Sequence, residues 1–260
     1  MTLVLNLELE NKVAVITGAS DGLGRAAAER LAEEGVKLAI CARRKDYLEK
    51  TAKAIAERTG AEIFAQAADV TVAADVDDFV DKTIARFGGV DILLNNAGTS
   101  AAAPFEAVDD ALWQADFDLK LMAAVRMCRR VLPSMKQRGG GCIVNITTIG
   151  GKAPEPKRLP TSVTRAAGIN LTKALAGEYA ADNIRVNTIC IGKVKSAQWE
   201  RRARDGNVAA LYAKQGASIP LGRMGEAEEF ADLVAFLVSR RAAYITGTAI
   251  NFDGGLSSVV

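Results

Sequence analysis

The chain has 260 residues, 49% hydrophobic and 25% charged, with a formal net charge of +2. That balance suits a globular protein with a large core and gives no overall nucleic-acid signature. Histidine is absent, which excludes Ser-His-Asp hydrolysis, histidine acid-base catalysis and most zinc sites, so no metal is expected.

Four cysteines, Cys41, Cys128, Cys142 and Cys190, are scattered without C-x-x-C spacing, as in a reducing cytosol. The opening MTLVLNLELE holds Glu8 and Glu10 and lacks a basic segment, which makes a poor signal peptide. No apolar run approaches the ~20 residues of a membrane span. A cytoplasmic protein engaging neither membrane nor nucleic acid is expected.

Along the chain, short apolar runs predict strands at VAVIT (13–17), VKLAIC (36–41), AEIFA (61–65), VDILL (90–94), CIVNI (142–146), IRVNTI (184–189) and TAINF (248–252). Several are apolar nearly throughout, as strands buried on both faces must be. Helical stripes lie between them: Leu121, Val125, Cys128 and Leu132; Val163, Ala167, Leu171, Ala174 and Leu175; Phe230, Leu233, Val234 and Leu237. Alternating strands and helices with right-handed crossovers predict an α/β fold, a doubly wound Rossmann-type parallel sheet covered by helices on both faces. No linker or repeat divides the chain, so residues 1–260 read as one domain.

The first strand runs into TGASDGLG, with Gly18, Gly22 and Gly24, and then into a helix. Glycines there let backbone approach a pyrophosphate, which rests on N–H groups at the positive helix end. About 20 residues on, an acid would grip the ribose diol of NAD(H). This chain has Ala42, Arg43 and Arg44 instead. Guanidinium forks match a 2′-phosphate, so NADP(H) is favoured over NAD(H). Asp21, inside the turn, is a mild counter-signal.

With these features the chain resembles the short-chain dehydrogenase/reductase family over essentially its full length. TGASDGLG (17–24), ADV (68–70), NNAG (95–98), IVNITT (143–148), IRVN (184–187) and YITG…NFDGG (244–255) carry the resemblance. It implies a seven-stranded sheet of order 3-2-1-4-5-6-7 and a homotetramer or homodimer. It implies a cofactor held by Gly18, Ser20, Asp21, Gly22, Leu23 and Gly24, with Asp69 at the adenine amino group and Val70 beside it. Asn95, Ala97 and Gly98 would line the cofactor, and Arg165 would bond the nicotinamide ribose. ICIGKVKS (189–196) resembles the stretch that holds the carboxamide, with Gly192 kept, Ile191 in place of a proline and Ser196 in place of a threonine, next to Val194.

The family's chemistry uses an Asn, a Ser, a Tyr and a Lys. Counting from the motifs, Lys120, Thr148, Thr161 and Arg165 stand at those positions. A phenol near pKa 10 is a usable acid, whereas an alkyl hydroxyl ionises nearer to water's ~15.7. The gap of ~5–6 units is about 7–8 kcal/mol of weaker acidity, and puts general acid catalysis of ~10²–10⁴ at risk. Thr148 can still donate to a developing oxyanion. Lys120, desolvated beside the Arg165 cation, should have a lowered pKa and supply the proton; otherwise it is a plain surface lysine on a helix.

Three readings stand: an NADP(H)-dependent carbonyl/alcohol oxidoreductase with a relocated proton donor, an NADP(H)-binding sensor or scaffold without turnover, and a structural subunit contacting a partner through helices 109–136 and 160–181. The variable segment 193–225 is expected to be a lid bearing Trp199, Arg201, Arg202, Arg204 and Tyr212, with Tyr212 a rival proton donor. The loop 150–160, with Lys152, Lys157 and Arg158, is expected to form the other wall. Together the cations suggest an anionic or acyl-type substrate.

Overall fold

The structure, a computed structural model, describes residues 6–203 and 206–260. Seven strands, β1 (Val13–Thr17), β2 (Lys37–Ala42), β3 (Ile63–Ala67), β4 (Ile92–Asn95), β5 (Gly141–Thr148), β6 (Ile184–Ile191) and β7 (Ala249–Phe252), form one parallel sheet of order β3-β2-β1-β4-β5-β6-β7. β1 and β4 are buried at every residue, while the edge strands β3 and β7 are only half-buried. This is why the central runs are apolar throughout.

The largest shifts from the expected strand bounds are in β3, β5 and β6. β3 lies two residues later than AEIFA, because its register is set by pairing Leu38 with Ile63 through Ala42 with Ala67. β5 and β6 extend past their apolar cores as far as Thr148 and Ile191, which pair with each other.

The helices are α1 (Gly22–Glu33), α2 (Lys45–Thr59), α3 (Ala73–Phe87), α4 (Asp110–Phe117), α5 (Ala123–Gln137), α6 (Thr161–Tyr179), α7 (Ala197–Glu200), α8 (Val208–Gly216) and α9 (Ala227–Val238). α1, α2 and α9 bury one core against the sheet through Leu31, Leu48, Ile55, Phe230 and Val234. α3 and α5 bury the other through Phe79, Val80, Met127 and Val131. The four cysteines are buried and unpaired. Among the described residues, no helix is long and apolar enough to cross a membrane.

The stripe expected to seat α6 holds only in part: Ala167, Leu171 and Leu175 are half-buried, but Ala174 is exposed. Val163 is exposed, and the buried face is Ser162, Thr164, Arg165, Gly168, Thr172 and Ala176. A Cβ on Gly168 would stand 3.2 Å from Thr147 Cγ2, so this helix approaches the sheet too closely for large side chains. Its inward face is small and polar, and it carries the site.

Candidate active site

All strands point their carboxyl ends at one cleft of about 1220 Å³, beyond the ~300–1,000 Å³ of ordinary small-molecule pockets. At its centre β1 ends and the chain turns through Gly18 (φ +67°) and Gly22 (φ +55°) into α1. A Cβ on Gly18 would lie 2.9 Å from Ala97 Cα. Asp21 is the N-cap of α1, its Oδ1 accepting from Gly22 N–H at 2.8 Å; the carboxylate that looked like a counter-signal is committed to capping. Ser20, Asp21, Gly22 and Leu23 also line the cleft.

Two expected cofactor contacts do not reach this space. Gly24 packs within the turn, where a Cβ would meet Gly18 O and Asn96 Nδ2, each at 2.4 Å. Asn95, the last residue of β4, points to the opposite side: its Nδ2 donates to Asn145 Oδ1 at 2.8 Å, and Asn145 donates to Thr172 Oγ1 at 2.9 Å. The next residue, Asn96, takes the cleft side, because successive side chains alternate. Its Nδ2 donates to Thr17 O and Gly18 O at 3.0 and 3.1 Å and staples β4 to the glycine turn. The NNAG motif contained Asn96, but nothing in the spacing told the two asparagines apart.

Toward one end the cleft is lined by Arg43, Arg44, Asp69 and Val70. The Arg44 guanidinium stacks 4.2 Å from the Tyr47 ring. Burial works to raise the Asp69 carboxyl, but bonds from the Thr71 N–H and hydroxyl and the nearby Arg43 charge outweigh it, leaving Asp69 below its usual range.

At the other end stand Thr148, Thr161 and Arg165, with Ala97 and Gly98 facing Gly192, Val194 and Ser196. Gly192 packs on β7: a Cβ there would lie 2.9 Å from Asp253 Cα. Lys120 enters from behind. The helix expected over 109–136 is interrupted by one π-turn, Asp118–Met122, between α4 and α5. Such insertions recur at functional sites, and this one carries Lys120 inward.

The lysine's side chain is 0% exposed, which overturns the surface-lysine alternative. Its Nζ donates to Thr161 Oγ1 at 2.8 Å and to the Asp116 carboxylate. Thr161 Oγ1 also accepts from Ala101 N–H at 3.1 Å, so its own hydrogen is left to face the cleft.

Burial pushes the Lys120 amine down to about 8; Asp116 opposes this and Arg165 reinforces it. Arg165 is buried as well, which lowers it to about 10 against the pull of Asp116; it remains a cation at neutral pH. It donates to Ile146 O at 2.6 Å, its Nε has no partner, and a Cβ on Gly98 would approach its Nη2 to 2.6 Å. Asp116 was missed in the sequence. Its i, i+4 spacing to Lys120 was the available signal, but it reads equally as a solvated helix pair.

The expected walls hold in part. Trp199, Arg201 and Arg202 line the cleft, and Arg202 stacks on Trp199 at 4.5 Å. Arg204 lies outside the described residues. Tyr212 is not on the cleft: its hydroxyl donates to Glu200 at 3.1 Å and Lys195 caps its ring. It is therefore no proton donor here. Lys152 turns away to Ala249 O (2.5 Å) and Asn251 Oδ1 (2.6 Å), and Arg158 is paired with Glu155 at 2.9 Å. The loop contributes less free positive charge than its composition suggested.

Residues 18–257 match the family model described as "Enoyl-(Acyl carrier protein) reductase". The chain is 34% identical to Dehydrogenase/reductase SDR family member 4 of Oryctolagus cuniculus, over 96% of this chain and 95% of that one. Among solved structures, L-sorbose reductase from Gluconobacter frateurii, complexed with NADPH and L-sorbose, aligns with a TM-score of 0.95. Its identity is 35%, over 98% of this chain and all of that one. An NADPH-bound short chain oxidoreductase from Pseudomonas aeruginosa PAO1, described as containing an atypical catalytic center, aligns with a TM-score of 0.91 and 37% identity, over 96% and 98%. The chain belongs to the short-chain dehydrogenase/reductase family of oxidoreductases.

Proposed function

We propose that the protein is an NADP(H)-dependent oxidoreductase of a carbonyl/alcohol pair in which Lys120, acting through Thr161, replaces the family's tyrosine as proton donor. The carrying observation is the buried chain from Asp116 to Lys120 Nζ to Thr161 Oγ1, which ends on the cleft wall. When bound, the nicotinamide supplies hydride.

The residues fit such a cofactor. Gly18, at φ +67°, packs against Ala97 so closely that no Cβ fits, which keeps the turn tight where Gly18, Ser20 and Gly22 line the cleft at the α1 N-terminus. Arg43 and Arg44 offer two guanidinium groups at the far end for a 2′-phosphate. The NADPH complexes of the Gluconobacter and Pseudomonas relatives support the same preference.

In reduction, the substrate oxygen gains negative charge as its carbon accepts hydride. Thr148 donates a hydrogen bond to that oxygen. The Thr161 hydroxyl passes its proton to it while taking one from the Lys120 ammonium, so the threonine never ionises. An amine at about 8 is a stronger acid than an ordinary phenol near 10, and the difference of ~2 units is about 3 kcal/mol in favour of transfer. Arg165 keeps its charge and orients the ribose. Trp199 and Arg202 in the lid segment 193–225 exclude water and meet the substrate, whose anionic or acyl character the remaining cleft cations favour. We further propose one domain, a homotetrameric or homodimeric assembly and a cytoplasmic location.

A panel of ketones, keto acids and acyl thioesters tested for NADPH oxidation examines this reading. Turnover that disappears in Lys120→Met, with NADPH-induced thermal stabilisation retained, supports it. Stabilisation without turnover across the panel favours the sensor reading. Co-purification with a tyrosine-bearing relative favours the structural-subunit reading.

A further inference from the structure

We infer that Asp116 is a positioning residue for the proposed proton donor: its carboxylate holds the Lys120 ammonium against Thr161 and thereby sets the pH range over which protons reach the cleft. This rests on the proposed reaction. Asp116 touches neither cleft nor substrate; its side chain is 2% exposed, and both oxygens are committed. Oδ1 takes the Lys120 ammonium, and Oδ2 accepts from Thr164 Oγ1 at 2.6 Å. The same hydroxyl lies 3.0 Å from Thr161 O, so its one hydrogen is shared between the two acceptors. The carboxylate and the relay hydroxyl are therefore fixed to one turn of α6, and Lys120 is held between them.

The charged groups facing Lys120 are Asp116 from α4 and Arg165 from α6. The sheet contributes only uncharged residues, Thr17, Asn95, Asn145, Ile146 and Thr147, to the same enclosed space. Without Asp116, two buried cations would face one another, and the amine would shed its proton at lower pH. With it, Lys120 is still largely in its acid form at neutral pH, so the pair works as a proton store behind the hydroxyl.

Two variants test this in the full-length protein with NADPH. Asp116→Asn removes the charge and keeps the shape. The alkaline limb of the reductive kcat/KM profile should move down by about one unit or more, the effect of losing an opposite charge within ~4–6 Å. At pH 8 a one-unit move is a loss of about fivefold that recovers on acidification. Thr164→Val keeps both charges but frees Oδ2. It should lower kcat several-fold and leave the midpoint in place. A midpoint unmoved in Asp116→Asn, or an unchanged kcat in Thr164→Val, overturns the inference.

Titrating ε-¹³C-lysine protein by NMR, with the Lys120 resonance identified by its loss in Lys120→Met, reads the same shift without turnover. A shifted Lys120 resonance in an inactive protein would sink the proposed reaction but not the role of Asp116 as the partner that sets this amine. An unshifted resonance sinks the role of Asp116 whatever the activity.

Discussion

The two ends of the cleft are made from different materials. At the glycine turn the working parts are backbone, positive-φ glycines and the α1 N-terminus, held in place by the Asn96 side chain across Thr17 and Gly18. At the reaction end they are side chains from separate segments, Lys120 in the π-turn, Thr148 closing β5, and Thr161 and Arg165 opening α6. Backbone geometry constrains which residues are tolerated, so the first end stays close to the family pattern. A side-chain constellation is constrained only to keep acid, donor and cation in reach of one oxygen, and it can be rebuilt from other residue types.

Separating the two ends experimentally sharpens this contrast. The largest effect is expected for Lys120→Met: kcat/KM for reduction falls by about 10²–10⁴, while NADPH affinity changes by less than about threefold. The same substitution leaves Asp116 buried without its partner and should cost about 3–5 kcal/mol of stability, read as a lowered melting midpoint. Adding Asp116→Asn should restore most of that stability without restoring activity.

Gly18→Val does the reverse. A β-branched residue at φ +67°, with its Cβ 2.9 Å from Ala97 Cα, costs ~1–3 kcal/mol in backbone strain before the clash is counted. NADPH binding, followed by nicotinamide fluorescence, should weaken by about a hundredfold. Comparable losses of both binding and turnover in Lys120→Met would erase the distinction between the ends.

Arg43→Ala with Arg44→Ala should be milder. Losing charge-assisted bonds worth ~1.5–3 kcal/mol lowers NADPH affinity about 10–100-fold and leaves NADH affinity nearly unchanged. A doubly substituted protein that still preferred NADPH would remove the 2′-phosphate assignment.

The smallest effect per step is in pH. The Lys120 amine sits at about 8, and the proposed reaction draws its proton from the acid form. Reductive kcat/KM should therefore be flat below that value and fall about tenfold per unit above it. A rise through the same range would mean that the neutral amine is the active form.

Much of the fold was legible because it rests on local chemistry. Buried central strands must be apolar, and β1 and β4 read as such; a strand running into TGASDGLG must turn and open a helix. Other features were not. The α6 stripe of Val163, Ala167 and Leu171 has the spacing of a buried face, yet close approach at Gly168 turns the polar side inward. Asn95 and Asn96 are chemically identical, and only strand pleat decides which faces the cleft. Tyr212 is a phenol in the right segment, spent on Glu200.

The amino-acid sequence by itself determined the doubly wound sheet, the glycine turn that opens α1 and a stretch 158–168 without tyrosine, because each depends on neighbours in the chain or on residue type alone. Only the tertiary structure decided that Lys120 is buried, that Asp116 is its counter-charge and that Thr161 stands between the amine and the cleft. Those facts come from a one-residue π insertion and from how closely α6 packs on β5, and both are settled by contacts between segments far apart in the chain.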